Sequence, residues 1–135
     1  MRSLLILRVV ALAQAAAACL QPVLAGSYLN GSGSAIRIHG SLGQAIFFIC
    51  LVQLPAAAIY RRSGGRTWPI VLTAALLLAE ALQITMGYSR TLALHIPLGI
   101  TIVATAVIFA VWTCRPGASV RRTAKEPKAT TAVAA

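Results

Sequence analysis

Four long apolar stretches, separated by short polar links, dominate the pattern of hydrophobic and polar positions along the chain. They cover about residues 9–29, 36–60, 68–88 and 92–114. A transmembrane helix requires about 20 mostly apolar residues, and each stretch is long enough. Because the links are short, consecutive helices are expected to be antiparallel neighbours. The pattern predicts an all-α integral membrane protein, an up-down four-helix bundle over residues 1–114.

The composition excludes an ordinary soluble domain. Of 135 residues, 59% are hydrophobic and only 10% are charged, with Glu80 and Glu126 as the two acids. Soluble domains average about a quarter charged residues, so these side chains would not solvate a globular surface. The net charge of +10 does not predict nucleic-acid binding, because the basic residues form short clusters between apolar stretches. The sequence offers no nucleophile–base pair and no phosphate-binding loop, which favours a carrier or membrane subunit over an enzyme.

The basic residues are distributed unevenly between the two ends of the predicted helices. Ten of the 12 Lys and Arg residues lie at the N terminus, in the second link or in the segment 115–135, and the other two are Arg37 and Arg90. Cytoplasmic loops carry an excess of Lys and Arg, so both termini are predicted to be cytoplasmic, in a bacterial plasma membrane. Residues 115–135 have little to bury and are predicted to form a disordered tail. The first stretch has some features of a signal peptide, but its apolar run is too long for one, which favours a retained helix.

Two histidines open the second and fourth predicted helices in matching contexts. His39 and His95 each begin the pattern H-x-x-L-G, three residues into a helix and therefore about 5 Å below its boundary. Gly43 and Gly99 follow four residues later, on the same helix face and one turn deeper. The preceding helices also end alike, with Leu-Gln shortly before Gly. The pattern indicates one helical hairpin used twice, which predicts parallel second and fourth helices.

The matched histidines predict the two axial ligands of one haem, held between the second and fourth helices. Two imidazole ligands favour low-spin electron transfer, and a glycine one turn deeper leaves room for a flat macrocycle. Arg37 and Arg90 are expected to contact the propionates, although snorkelling to the interface is an alternative for both. Other interpretations of the histidines are a copper or zinc site, quinone hydrogen bonding, or hydrogen bonding at the interface. Met86 is an alternative axial ligand.

These residues resemble those of four-helix, bis-His b-type membrane cytochromes. The chain is similar over about residues 9–114 to one half of haem A synthase, and to small bacterial membrane proteins of unknown function with histidines at the same helix starts. The resemblance implies that His39 and His95 ligate haem b. An electron carrier of this kind is expected to exchange electrons with a quinone or a membrane redox protein. In haem A synthase an arginine usually follows the ligand histidine, whereas Gly40 and Ile96 stand there in this chain. The resemblance therefore implies simple haem binding rather than the synthase's oxidative chemistry.

Glu80 is the one acid within the predicted helices, and Gln83 lies on the same face of the third helix. An ionised carboxylate is costly in hydrocarbon, so Glu80 is expected to be protonated, paired or next to water. Such residues serve proton or cation transport, or make a structural hydrogen bond. They support a second interpretation, a small membrane transporter or an accessory or structural subunit without haem. The pattern leaves open whether the chain is a homo-oligomer or a hetero-oligomer.

Overall fold

A computed structural model describes residues 2–119. Its helices are α1 (Arg2–Leu29), α2 (Gly33–Arg62), α3 (Trp68–Tyr88) and α4 (Leu92–Cys114), followed by a short 3₁₀ helix at Pro116–Ala118. Within this described range the chain contains no strand. All four α-helices are long and apolar enough to cross a membrane. The prediction of an all-α, four-helix membrane protein is confirmed.

The helix bounds agree closely for the second half of the chain and less well for the first. The bounds of α3 and α4 are those predicted, whereas α1 begins at Arg2 and not at residue 9. The apolar residues that follow Arg2 continue the helix, since Leu7 is fully buried in the bundle. Arg8 is also tied into the bundle, because its Nε donates a hydrogen bond to the main-chain oxygen of Thr113 at 3.0 Å. The first turns of α1 are therefore part of the packed bundle.

The helices pack in a ring, in which α1 and α3 each contact both α2 and α4. It follows that α2 and α4 lie diagonally across the bundle from each other. We call the end with links 30–32 and 89–91 the histidine end. The opposite end, with the start of α1, the link 63–67 and the end of α4, is the terminal end. Which end faces the cytoplasm stays a prediction from the distribution of Lys and Arg.

The core is densest towards the terminal end. It consists mainly of alanines from α1, α2 and α4, together with larger side chains such as Leu7 and Phe109. Small residues let helix backbones approach closely, and van der Waals packing is a main source of helix association in membranes. An aromatic group completes this region, with the ring centres of Trp68 and Trp112 4.3 Å apart. The close packing here leaves the histidine end as the open half of the bundle.

The residues directly after α4 correct one prediction. Segment 115–135 was predicted to be disordered, yet residues 115–119 are ordered against the bundle. Ala118 is buried, and its main-chain oxygen accepts a hydrogen bond from the Tyr60 hydroxyl at 2.7 Å. A buried tyrosine hydroxyl needs a partner, and this turn of the chain supplies it. The rest of the predicted tail, residues 120–135, lies outside the described residues.

Candidate functional site

A cavity of about 480 Å³ lies in the middle of the bundle, towards the histidine end. All four helices line it, so it is a central feature and not a groove between one pair of helices. Its volume falls within the range of about 300–1,000 Å³ that is typical of ligand and cofactor sites. Its lining includes most of the residues singled out in the sequence: His39, His95, Gly43, Gly99, Glu80, Gln83 and Arg90.

The two histidines face each other across this cavity from diagonally opposite helices. The ring centres of His39 and His95 are 6.1 Å apart, and the ring planes are inclined at 57°. Two imidazoles that bind one metal ion from opposite sides, with metal–nitrogen bonds of about 2 Å, have ring centres about 6 Å apart. The spacing therefore matches a pair of axial ligands.

Each histidine is held through its Nδ1 atom by the helix that precedes it. His39 Nδ1 lies 3.2 Å from the main-chain oxygen of Gln21, and His95 Nδ1 lies 3.0 Å from that of Gln83. A carbonyl oxygen only accepts hydrogen bonds, so Nδ1 carries the proton in both rings and Nε2 carries the lone pair. A hydrogen bond of this kind on the other ring nitrogen is typical of metal-bound histidines, because it fixes tautomer and ring orientation.

The same two glutamines also bind the histidines through their side chains. Gln21 Nε2 donates to the main-chain oxygen of His39 at 3.2 Å, and Gln83 Nε2 donates to that of His95 at 2.9 Å. Each hairpin thus contains a reciprocal pair, in which glutamine and histidine each donate to the other's backbone. We call these two arrangements the Gln–His clamps. The repeated Leu-Gln was the signal in the sequence, but it did not reveal that the glutamines hold the histidines.

The two glycines one turn below the histidines line the cavity, and they also make room for the glutamines. A Cβ atom at position 43 would lie 3.6 Å from Gln21 Nε2, and one at position 99 would lie 2.6 Å from Gln83 Nε2. The sequence predicted that these glycines clear space for a macrocycle, whereas their nearest side chains are those of the clamps. Gly87 was not among the predicted site residues, yet it packs against His95, since a Cβ there would lie 3.1 Å from His95 Cε1.

The two arginines of the histidine end differ in their position. Both are exposed, but Arg90 lines the cavity, and Arg37 does not belong to its lining. Arg90 has a φ of 56°, and it is the one non-glycine residue among residues 2–119 with a positive φ. A left-handed conformation is uncommon for a long side chain, and here it lies in the tight link between α3 and α4. Met86, the alternative axial ligand, is also absent from the cavity lining within the described chain.

Glu80 lies deeper in the same cavity. It is eight residues before the end of α3, and therefore about 12 Å below the histidine end. Its side chain is 3% exposed, and its Oε1 accepts a hydrogen bond from Gln14 Nε2 at 2.5 Å. Its Oε2 is buried without a hydrogen-bond partner, as are the side-chain oxygens of the cavity glutamines Gln21 and Gln83. Buried acceptors of this kind are places where water or a ligand supplies the missing donor.

The available metal-binding side chains fit a metal ion whose other ligands come from a cofactor. Among residues 2–119, no group of three or more His, Cys, Asp or Glu side chains is placed to hold a metal ion. Two histidines are too few for an ordinary zinc site, but they suffice for a haem iron, whose other four ligands belong to the macrocycle. Gln83 Nε2 lies 3.4 Å from His95 Nε2, so this amide has to turn aside before that nitrogen binds iron. His39 Nε2 has no such competitor among the described residues.

Comparisons with known proteins identify no relative. No family model matches the chain, and neither a curated protein nor a solved structure matches it. The resemblance to bis-His membrane cytochromes therefore stays a prediction from the sequence.

Proposed function

We propose that the protein is a membrane haem b-binding protein that carries electrons near one face of the bilayer, with His39 and His95 as the axial ligands. The supporting observation is the pair of facing imidazoles, with ring centres 6.1 Å apart and both Nδ1 atoms held by main-chain oxygens. In such a pair Nε2 is the ring nitrogen that is left to bind a metal. A haem with two imidazole ligands exchanges single electrons with little change in its geometry.

In this proposal the protein's own residues orient the ligands and compensate charge. The main-chain oxygens of Gln21 and Gln83 hold both rings, and Arg90 at the cavity edge is the arginine placed to contact a propionate. By the distribution of Lys and Arg, the histidine end faces away from the cytoplasm. The electron partner is then a quinone in the bilayer or a redox protein at that face.

The visible spectrum of the detergent-purified full-length chain tests this proposal. Protein produced with haem in supply is expected to bind one haem per chain and to give the sharp α band of a low-spin cytochrome b after reduction with dithionite. Met86→Leu serves as the matched control and is expected to leave the spectrum unchanged, since Met86 lies outside the cavity lining. Colourless protein under these conditions would overturn the proposal.

One observation supports a second candidate, a small transporter or accessory subunit centred on Glu80. The carboxyl group of Glu80 is buried in the cavity with one oxygen unpartnered, as expected of an intramembrane acid that exchanges a proton or binds a cation. This candidate predicts a colourless protein that moves protons across vesicle membranes, with the activity lost in Glu80→Gln. Vesicles that take up protons without haem would favour it over the cytochrome.

A further inference from the structure

The cavity holds a single carboxyl group, and its position sets the charge balance of the site. Glu80 is the only acidic residue among residues 2–119, and it lines the same cavity as the histidines. The groups around it include a neutral amide and a thiol: Gln14 from α1 donates to it, and Cys50 from α2, whose Sγ donates to the main-chain oxygen of Thr73, lies beside it. The other titratable or charged groups that line the cavity come from all four helices and the last link: Tyr28, His39, Tyr88, Arg90 and His95.

A haem between two neutral imidazoles changes its charge when it gains an electron. The macrocycle carries two negative charges in its centre, so a ferric iron leaves one net positive charge there and a ferrous iron leaves none. An uncompensated charge buried between helices costs several kcal/mol or more, in order of magnitude. Among the described residues, the carboxyl group of Glu80 is the one side chain that can be the counter-charge of the oxidised state. In the reduced state an ionised Glu80 would itself be uncompensated.

We infer that Glu80 is a redox-linked proton acceptor, ionised while the iron is ferric and protonated once the iron is ferrous. This inference rests on the proposed haem function. One electron comes from a one-electron donor, and one proton comes from water. The new O–H bond forms at the carboxyl group, whose Oε2 has no hydrogen-bond partner. Oxidation breaks this bond and returns the proton to water.

Water reaches the carboxyl group through the open part of the cavity. Tyr28, Tyr88 and Arg90 line the cavity and are exposed, so the cavity opens to the surface at the histidine end. The unpartnered oxygens of Gln21 and Gln83 lie along the way from that opening to Glu80. Buried polar groups of this kind bind ordered water, which provides a path for the proton.

The midpoint potential of the purified haem-loaded protein, measured as a function of pH, tests this inference. If one proton accompanies each electron, a tenfold change in proton concentration shifts the potential by about 59 mV. The wild-type potential is therefore expected to fall by this amount per pH unit over the range in which Glu80 titrates. In Glu80→Gln the potential is expected to be independent of pH over the same range. It should also be higher than that of the wild type at the alkaline end, because the counter-charge is gone.

Glu126→Gln is the matched control, since it makes the same chemical change at the chain's other acid. It is expected to keep the wild-type slope. Infrared difference spectra provide a second measurement that does not depend on the Glu80 variant retaining haem. In Glu126→Gln protein labelled with carbon-13 glutamate, Glu80 is the only labelled acid, and reduction is expected to produce an isotope-shifted C=O band of a protonated carboxyl group.

The outcomes separate this inference from the haem proposal. A haem-containing protein without the labelled carboxyl band, or with the same slope in wild type and Glu80→Gln, would overturn the inference and leave the haem proposal intact. A protein that binds no haem would overturn both. A slope that is present in the wild type and lost in Glu80→Gln, together with the labelled band, would support the role of Glu80.

Discussion

The two helical hairpins share the residues that hold the histidines and differ in the residues around them. In both, a glutamine of the first helix clamps a histidine of the second, and a glycine follows that histidine by four residues. They differ at the position three residues before the glutamine, where the first hairpin has Ala18 and the second has Glu80. Both side chains line the cavity. The repeated residues thus position a matched pair of histidines, and the unrepeated residue Glu80 places a carboxyl group on one side only.

The second hairpin also encloses its histidine more tightly. Gly99 approaches its clamp glutamine more closely than Gly43 does, and Gly87 packs against the His95 ring. In the first hairpin, no atom lies within 4 Å of where a Cβ at Gly26 would be, near the end of α1. The two matched histidines therefore lie in unequal surroundings. The difference implies that equivalent substitutions in the two hairpins have unequal effects.

The largest difference is expected from alanine at the two clamp glycines. At position 99 the new Cβ would lie 2.6 Å from Gln83 Nε2, so the amide must move and lose its bond to the backbone of His95. The displaced amide loses a hydrogen bond worth about 1 kcal/mol, so Gly99→Ala is expected to lower thermal stability. At position 43 the separation is 3.6 Å, which is ordinary contact, and Gly43→Ala is expected to be nearly neutral.

Thermal unfolding in detergent, followed by circular dichroism, measures this difference, and Gly26→Ala provides the control in open space. Equal destabilisation by Gly43→Ala and Gly99→Ala would show that the hairpins are equivalent at this point.

A smaller difference is expected from removing the clamp amides. Gln21→Leu and Gln83→Leu each remove one hydrogen bond to a histidine backbone, worth about 1 kcal/mol. Gln83 also stands 3.4 Å from His95 Nε2, the nitrogen that would bind iron, so its removal has a compensating benefit. Haem transfer to apomyoglobin is therefore expected to be faster from Gln21→Leu than from Gln83→Leu. The reverse order would contradict this interpretation of the second clamp.

The smallest difference is expected at the two arginines. Arg90 lines the cavity and Arg37 does not, so only Arg90→Gln is expected to change the haem potential or retention. Contacts of exposed charges are worth about 1 kcal/mol or less, which limits the effect to a few-fold change in retention. The comparison is made by redox titration of both variants at one ionic strength. An effect of Arg37→Gln as large as that of Arg90→Gln would indicate that both arginines reach the cofactor.

The sequence predicted the architecture well because its strongest signals are local. Four apolar stretches define four helices, and the bounds of α3 and α4 are those predicted. The matched H-x-x-L-G patterns also placed both histidines in one cavity, since equal depth on parallel helices follows from hairpin repetition alone.

The contacts between helices could not be predicted in the same way. The contact of Gly99 with Gln83 and the packing of Gly87 on His95 depend on how each helix is rotated about its own axis. A helix that is apolar on all sides does not specify this rotation. The early start of α1 was missed because Arg2 and Arg8 resemble flanking charges, while Leu7 between them is buried by packing. Ala118 is a similar case, since its order depends on the distant hydroxyl group of Tyr60.

The central claim is that one haem is held by one histidine from each hairpin, and electron paramagnetic resonance of the oxidised protein tests it most directly. The wild type is expected to give the low-spin signal of two imidazole ligands. His39→Ala and His95→Ala each remove one ligand, so each variant is expected to lose this signal and to show high-spin iron or no haem. A low-spin signal that survives either substitution would contradict the account.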